Sequence, residues 1–127
     1  MSFLDMNFDD VVEPRAVAPD KEYKLRITEV REGTDKNGNG YILPVMEVLD
    51  EVGAKNITYF LGFPREDMDA KQLNAAKYKI KKFCEAFNVD PNSEFQSWVG
   101  AEGWAILGLD ETDEWGEQNF IRRLVKS

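Results

Sequence analysis

The longest periodic stretch of the chain runs from Asp69 to Phe87. Leu73, Ala76, Ile80, Phe83 and Phe87 recur at steps of three and four, which marks one apolar stripe of an amphipathic helix. Asp69 with Gln72 three residues on has the form of a capping box, and Asn88 ahead of Asp90-Pro91 supplies the stop. On both sides of this helix the period is two. From Lys21 to Glu32, Tyr23, Leu25 and Ile27 alternate with Lys24, Arg26 and Thr28; Val30 breaks the phase and predicts a bulge near Thr28-Glu29. A second strand, Tyr41 to Asp50, is apolar on both faces. Pro44 within it has no N–H to donate, so a bulge or an unpaired spot is expected there. A third, Asn56 to Phe63, sets Ile57, Tyr59, Leu61 and Phe63 on one face and turns Phe60 outward. Trp104 to Leu109 and Gln118 to Lys126 complete the set.

The connections carry their own signals. Gly33 to Gly40 is rich in Asn-Gly pairs that tolerate positive φ, which predicts a hairpin. Its letters also open a calcium loop through Asp35, Asn37, Asn39 and Gly40, but the twelfth position is Met46 where a bidentate Glu is needed, and helical flanks are missing. The hairpin is the better reading. Asp90 to Ser93 begins a short helical turn that Phe95, Trp98 and Val99 anchor, and Asp110 to Glu117 is a loop of five acids interrupted by Trp115 and Gly116. Residues 1–20 form an acidic N-terminal arm with Phe3, Leu4, Met6 and Phe8 as its apolar groups; residues 21–127 form the domain. One helix after the third of five strands is the chain order of an OB-fold. The expected fold is therefore mainly β, a five-stranded OB-like barrel with one α-helix between strands three and four.

Composition narrows the chemistry. The 127 residues suit one domain. There is no histidine and one cysteine, Cys84, which excludes Ser-His-Asp and Cys-His nucleophilic sites and the usual zinc ligand sets. Cys84 beside the apolar stripe is expected as a buried free thiol, in keeping with a reducing cytoplasm. No run of about 18 apolar residues offers a membrane span, and the acidic N-terminus is no signal peptide. A net charge of −8 works against phosphate binding unless basic residues share a face.

Several segments in this order resemble a family of small phage-encoded proteins of formally unknown function. They are Tyr23-Lys-Leu-Arg-Ile27, Lys36-Asn-Gly38, Met46-Glu-Val48, the helix end Phe83-Cys-Glu-Ala-Phe87, Val99-Gly100 with Gly103, and Asn119 to Arg123. The similarity spans about Phe3 to Val125. That family is OB-like and related to phage single-stranded DNA-binding proteins. The resemblance implies a non-enzymatic, cytoplasmic protein of the infected host cell that binds single-stranded DNA in replication or recombination, with no cofactor and no metal. It also implies phage or host replication and recombination proteins as partners, leaves a homo-oligomer open, and gives no role at a membrane. The family commonly ends in an acidic tail; this chain ends basic, with Arg122, Arg123 and Lys126.

Sequence-tolerant binding of single strands needs exposed rings for stacking and cations for phosphates. The ring candidates are Tyr41, Phe60 and Trp115, each weighed against packing in the body of the protein. The phosphate candidates are Lys24, Arg26, Lys36, Lys55, Arg122 and Arg123, each weighed against a solvated surface charge. Arg122 and Arg123 are neighbours, so alternation lets only one share a given face. Trp98 and Trp104 are expected in the core. The helix carries Lys71, Lys77, Lys79, Lys81 and Lys82, expected as a solvated face or as a second phosphate track. The alternative function is an OB-like protein-interaction subunit that docks through its acidic loop and lysine-rich helix. A nuclease built on the loop carboxylates ranks below both.

Overall fold

The computed structural model describes residues 7–126, so Phe3, Leu4 and Met6 lie outside the described residues. The chain is mainly β. Its strands are β1 (Glu22–Thr34), β2 (Gly40–Val48), β3 (Ile57–Thr58), β4 (Leu61–Gly62), β5 (Glu102–Thr112) and β6 (Gly116–Val125), with one α-helix, α1 (Ala70–Phe87). All six strands belong to one antiparallel sheet of order β3-β2-β1-β5-β6, with β4 also paired to β2.

This corrects the expected five-stranded barrel in three respects. First, the predicted third strand is two short strands, and Pro44 is the cause. Val45 pairs Thr58 and Ile42 pairs Leu61, so one register runs across both pieces and sets Pro44 opposite Tyr59. The Tyr59 N–H donates to the Pro44 carbonyl at 3.2 Å, but Pro44 has no N–H to return the bond. The ladder breaks there, as an unpaired spot. Second, the helix consequently stands between the fourth and fifth strands. Third, the sheet is open. Its end strands β3 and β6 approach each other without pairing. β3 is only two residues long, and the gap is bridged by the arm and by a side chain: the Lys55 ammonium donates to the carbonyls of Trp115 and Glu117 at 3.2 and 2.9 Å.

The bulge in β1 falls between Ile27 and Glu29, which lets Leu25, Ile27 and Val30 all turn inward. The predicted acidic loop is instead mostly ladder. Asp110 pairs Gln118 and Glu111 pairs Glu117 across a long β5–β6 hairpin, and only Asp113, Glu114 and Trp115 remain in the tip, closed by Gly116 at φ 69°. Carboxylates facing each other across strands cost stability; backbone pairing outweighs that here.

The core lies between the sheet and the C-terminal half of α1. Asp69 and Gln72 make the reciprocal capping box, and Asn88 ends the helix in the left-handed region. Phe83, Cys84, Ala86 and Phe87 are buried, whereas Leu73 and Ala76 are only half-buried, so the apolar stripe docks by its later turns. Gly103 permits that docking: a Cβ there would come within 2.6 Å of the Ala86 carbonyl. Phe83 stacks on Phe87 and Tyr59 with centroids 4.6 and 5.5 Å away and meets Trp98 at a tilt at 5.9 Å. Burial desolvates the Cys84 thiol and, with the Asp90 charge, pushes its pKa up to about 11. The expected anchors divide. Trp98 is buried and Phe95 half-buried, but Val99 is exposed, and the short 3-10 turn spans Phe95–Trp98 rather than opening at Pro91. Trp104, expected in the core, is 43% exposed because it pairs with Lys24 on the outer face of the sheet. The arm docks from Val12 onward, where the Val12 side chain lies against Gly53. Arg15 bridges Ala54 in parallel, and Asn119 exchanges two hydrogen bonds with Val17 at 2.8 and 3.0 Å. Phe8 is exposed.

Candidate nucleic-acid interface

Strand alternation brings two of the three ring candidates together. Tyr41 lies opposite Gly62, and Phe60 falls two residues away on the same outer face. Their ring centroids are 4.9 Å apart. Both rest on glycine backbone: a Cβ on Gly33 would strike the Tyr41 ring at 2.6 Å, and the Phe60 ring lies 3.4 Å from the same point on Gly62. Tyr41 is half-buried and Phe60 is 49% exposed.

A groove of about 260 Å³ opens beside this pair, between β4, the β1–β2 turn and α1. Phe60, Leu61, Phe63, Met68, Ala76 and Ile80 give it apolar walls; Asp35, Asn39, Arg65 and Lys79 give it polar ones. Lys79 reaches down from α1 so that its ammonium stands 4.8 Å from the Tyr59 ring centroid and 5.9 Å from that of Phe60. Burial lowers its pKa. Arg65 is held at 3.0 Å by Asp67. Asp35 accepts the backbone N–H groups of Asn37 and Asn39 on Oδ1 at 2.8 and 2.9 Å, which closes the hairpin turn. Those bonds, that of Asn39 foremost, hold the Asp35 carboxyl below the ordinary aspartate range, with a smaller contribution from the Arg65 charge. The oxygen that would begin a calcium loop is thus committed to the turn. Lys36 is exposed in that same turn, beside the groove.

The other predicted cations lie elsewhere, and most are engaged. Arg26 binds Glu102 at 2.6 Å and Glu47 at 3.3 Å, and Lys24 binds Glu102 at 3.1 Å, on the outer face of β1 and β5. The hydrogen bond from Arg26 leads in holding the Glu102 carboxyl below its usual range. Lys55 is taken by the hairpin carbonyls, next to Trp115, which is 62% exposed at the tip. Arg122 pairs with Asp20 at 3.3 Å and lies over the Phe120 ring at 5.5 Å. A register shift between Ile106 and Leu107 leaves Arg122 as an extra residue in β6, so the alternation that separated Arg122 from Arg123 does not hold and both are exposed.

Sequence reasoning passed over Arg65 and gave Lys79 no role distinct from its neighbours. No phase signal marked Lys79, since Lys77, Lys79 and Lys81 are alike exposed on α1; its tertiary approach to the Tyr59 and Phe60 rings is what singles it out. Arg65 carried no periodic signal. Among the described residues no helix is long and apolar enough to cross a membrane. No protein-family model matches this sequence, and no curated protein is significantly similar to it.

Proposed function

We propose that this chain is a non-enzymatic single-stranded DNA-binding protein of phage replication or recombination, with an OB-like fold and low sequence specificity. The observation that carries the reading is the outward Tyr41–Phe60 pair beside a groove that Phe60 lines together with Lys79 and Arg65. Two adjacent outward rings give consecutive bases a platform, and the cations beside them suit the linking phosphates. The strand order supports the fold. With β3 and β4 taken as one strand interrupted at Pro44, the path three-two-one-four-five, with a helix between three and four, is that of a partly open OB-like sheet. The rings sit on strands two and three, where such folds take their ligand.

A mobility-shift titration with single- and double-stranded oligonucleotides across a salt series tests this. Single strands should bind, bind more weakly as salt rises, and outcompete duplex. Arg26→Ala should leave binding within about twofold, because Arg26 already holds two carboxylates and a surface substitution of this kind costs little. No shift at low salt removes the proposal and favours a protein-docking subunit; a preference for duplex removes the single-strand reading.

A further inference from the structure

The molecule has two charged poles. On α1, Lys71, Lys77, Lys81 and Lys82 stand outside the buried stripe, and Glu85 is the only acid of the helix. Tyr78 is 57% exposed among them, and the Lys82 ammonium lies 5.6 Å from its ring centroid. Lys81 and Lys82 follow Tyr78 at three and four residues, so they flank the ring, and Lys71 lies two turns before it on the same side. Lys81 approaches Glu85 at 3.9 Å; among the described residues Lys71, Lys77 and Lys82 are in no ion pair. The β5–β6 hairpin is the other pole. Asp110, Glu111, Asp113, Glu114 and Glu117 are exposed there, and none of the five is in an ion pair among the described residues. Trp115 stands exposed at the tip, where its N–H donates to Thr112 Oγ1 at 3.0 Å.

These poles lie at opposite ends of one ladder. α1 docks at the root of β5, where the Ala86 carbonyl meets Gly103, and the hairpin runs from there to its tip. The strand from Gly103 to Asp113 spans up to about 30 Å at the rise of an extended chain. The acids of the tip are thus out of reach of the lysines on their own helix.

We propose that the two poles join copies of this chain head to tail. The hairpin of one copy docks on the outer face of α1 of the next, with Trp115 against Tyr78 and the tip carboxylates among Lys71, Lys81 and Lys82. Charge selects this occupant. At a net charge of −8 two copies repel in most orientations, and an acidic tip approaching a basic helix is the approach that attracts. The two rings supply the apolar centre that such a contact needs. Because the two surfaces differ, the contact is heterologous. Each added copy leaves one hairpin and one helix face unfilled, so copies add in line instead of closing as a pair. The inference goes beyond the strand-binding reading and does not depend on it, since the groove uses Ala76, Lys79 and Ile80 on another side of α1.

Sedimentation velocity of the whole chain, without nucleic acid, tests this over a concentration series. At about 10 mM salt, where charges act over about 30 Å, the weight-average mass should rise with concentration past that of a dimer. At about 1 M salt, where that range is about 3 Å, it should return to that of a monomer. Asp113→Lys with Glu114→Lys makes the tip basic, and Lys71→Glu with Lys81→Glu makes the helix face acidic. Each double variant alone should stay monomeric at low salt. An equimolar mixture of the two should regain the association, because the basic tip of one meets the acidic helix of the other. A wild type that is monomeric at every concentration, a plateau at the dimer, association retained by both double variants, or a mixture that stays monomeric overturns the inference. All four substituted positions are exposed, and the wild-type salt series decides on its own should a variant not fold.

Discussion

Phe60 and Phe83 are both aromatic residues beside Tyr59, and their surroundings assign them opposite work. Phe83 has no exposed surface and packs against three other rings. Phe83→Ala should cost about 3–5 kcal/mol, a large share of the roughly 5–15 kcal/mol available to a domain, and chemical denaturation should show it. Phe60 is half in solvent and touches Tyr41 and the backbone of Gly62. Phe60→Ala should leave stability within about 1 kcal/mol and weaken oligonucleotide binding by about 1–3 kcal/mol, the worth of one stacked base. Melting and titration of the same two variants separate the roles. Asp35 adds a pH signature. Its carboxyl is held below the ordinary range in the fold, so its stabilisation of the turn is present above the unfolded aspartate pKa and is lost as the pH falls through the folded value. On acidification, hydrogen-exchange protection of the Asn37 and Asn39 amides should fall before that of the β1–β2 ladder. Protection that stays constant to the point of global unfolding would show the carboxylate to be idle.

At the scale of elements, Pro44 determines the strand count. Pro44→Val restores a donor opposite the Tyr59 carbonyl without leaving a large cavity. The two short strands should then join over 57–62, with a protected amide at position 44 in hydrogen exchange. Net stability should move by no more than about 1 kcal/mol, because the gained hydrogen bond is worth about 1 kcal/mol and the lost proline rigidity offsets about 0.4–1 kcal/mol. The same element shows what a one-dimensional pattern carries. The interruption at Pro44, the bulge at Thr28, the helix with both its caps and the outward side of Phe60 were legible, because each follows from backbone chemistry or from period within a few residues. The open edge was not legible, since it depends on where β3 meets β6 and on Lys55 taking carbonyls of a hairpin sixty residues away. Nor was the length of the β5–β6 hairpin. Acids such as Asp110, Glu111 and Glu117 have low strand propensity, and only pairing between strands overrides it. At the candidate site the outward side of Phe60 was visible by alternation, whereas that of Tyr41 was not, because its strand is apolar on both faces. The cations were not, because charge partners such as Glu102 for Arg26 arrive from a distant strand.

For the whole molecule the controlling fact is a net charge of −8 in a protein proposed to hold a polyanion. Lys24, Arg26, Arg122 and Lys55 are tied to carboxylates or carbonyls, so neutralising them with phosphate would mean breaking existing contacts. Arg65 is likewise held by Asp67, which leaves Lys79 on the groove wall and Lys36 beside it as the cations placed to meet a strand lying on Tyr41 and Phe60. Each phosphate neutralised on a single strand contributes about −0.7 to the slope of log K against log salt. Two such contacts predict a slope of about −1.4, shallow for a nucleic-acid binder. Lys79→Gln should flatten it by about 0.7. Substituting Lys77 and Lys81, which lie four apart on the exposed side of α1, should leave it unchanged. A slope of about −4 or steeper that falls on removal of Lys77 and Lys81 would move the strand from the groove to the helix. The rings would then be bystanders, and α1 would be the surface that binds.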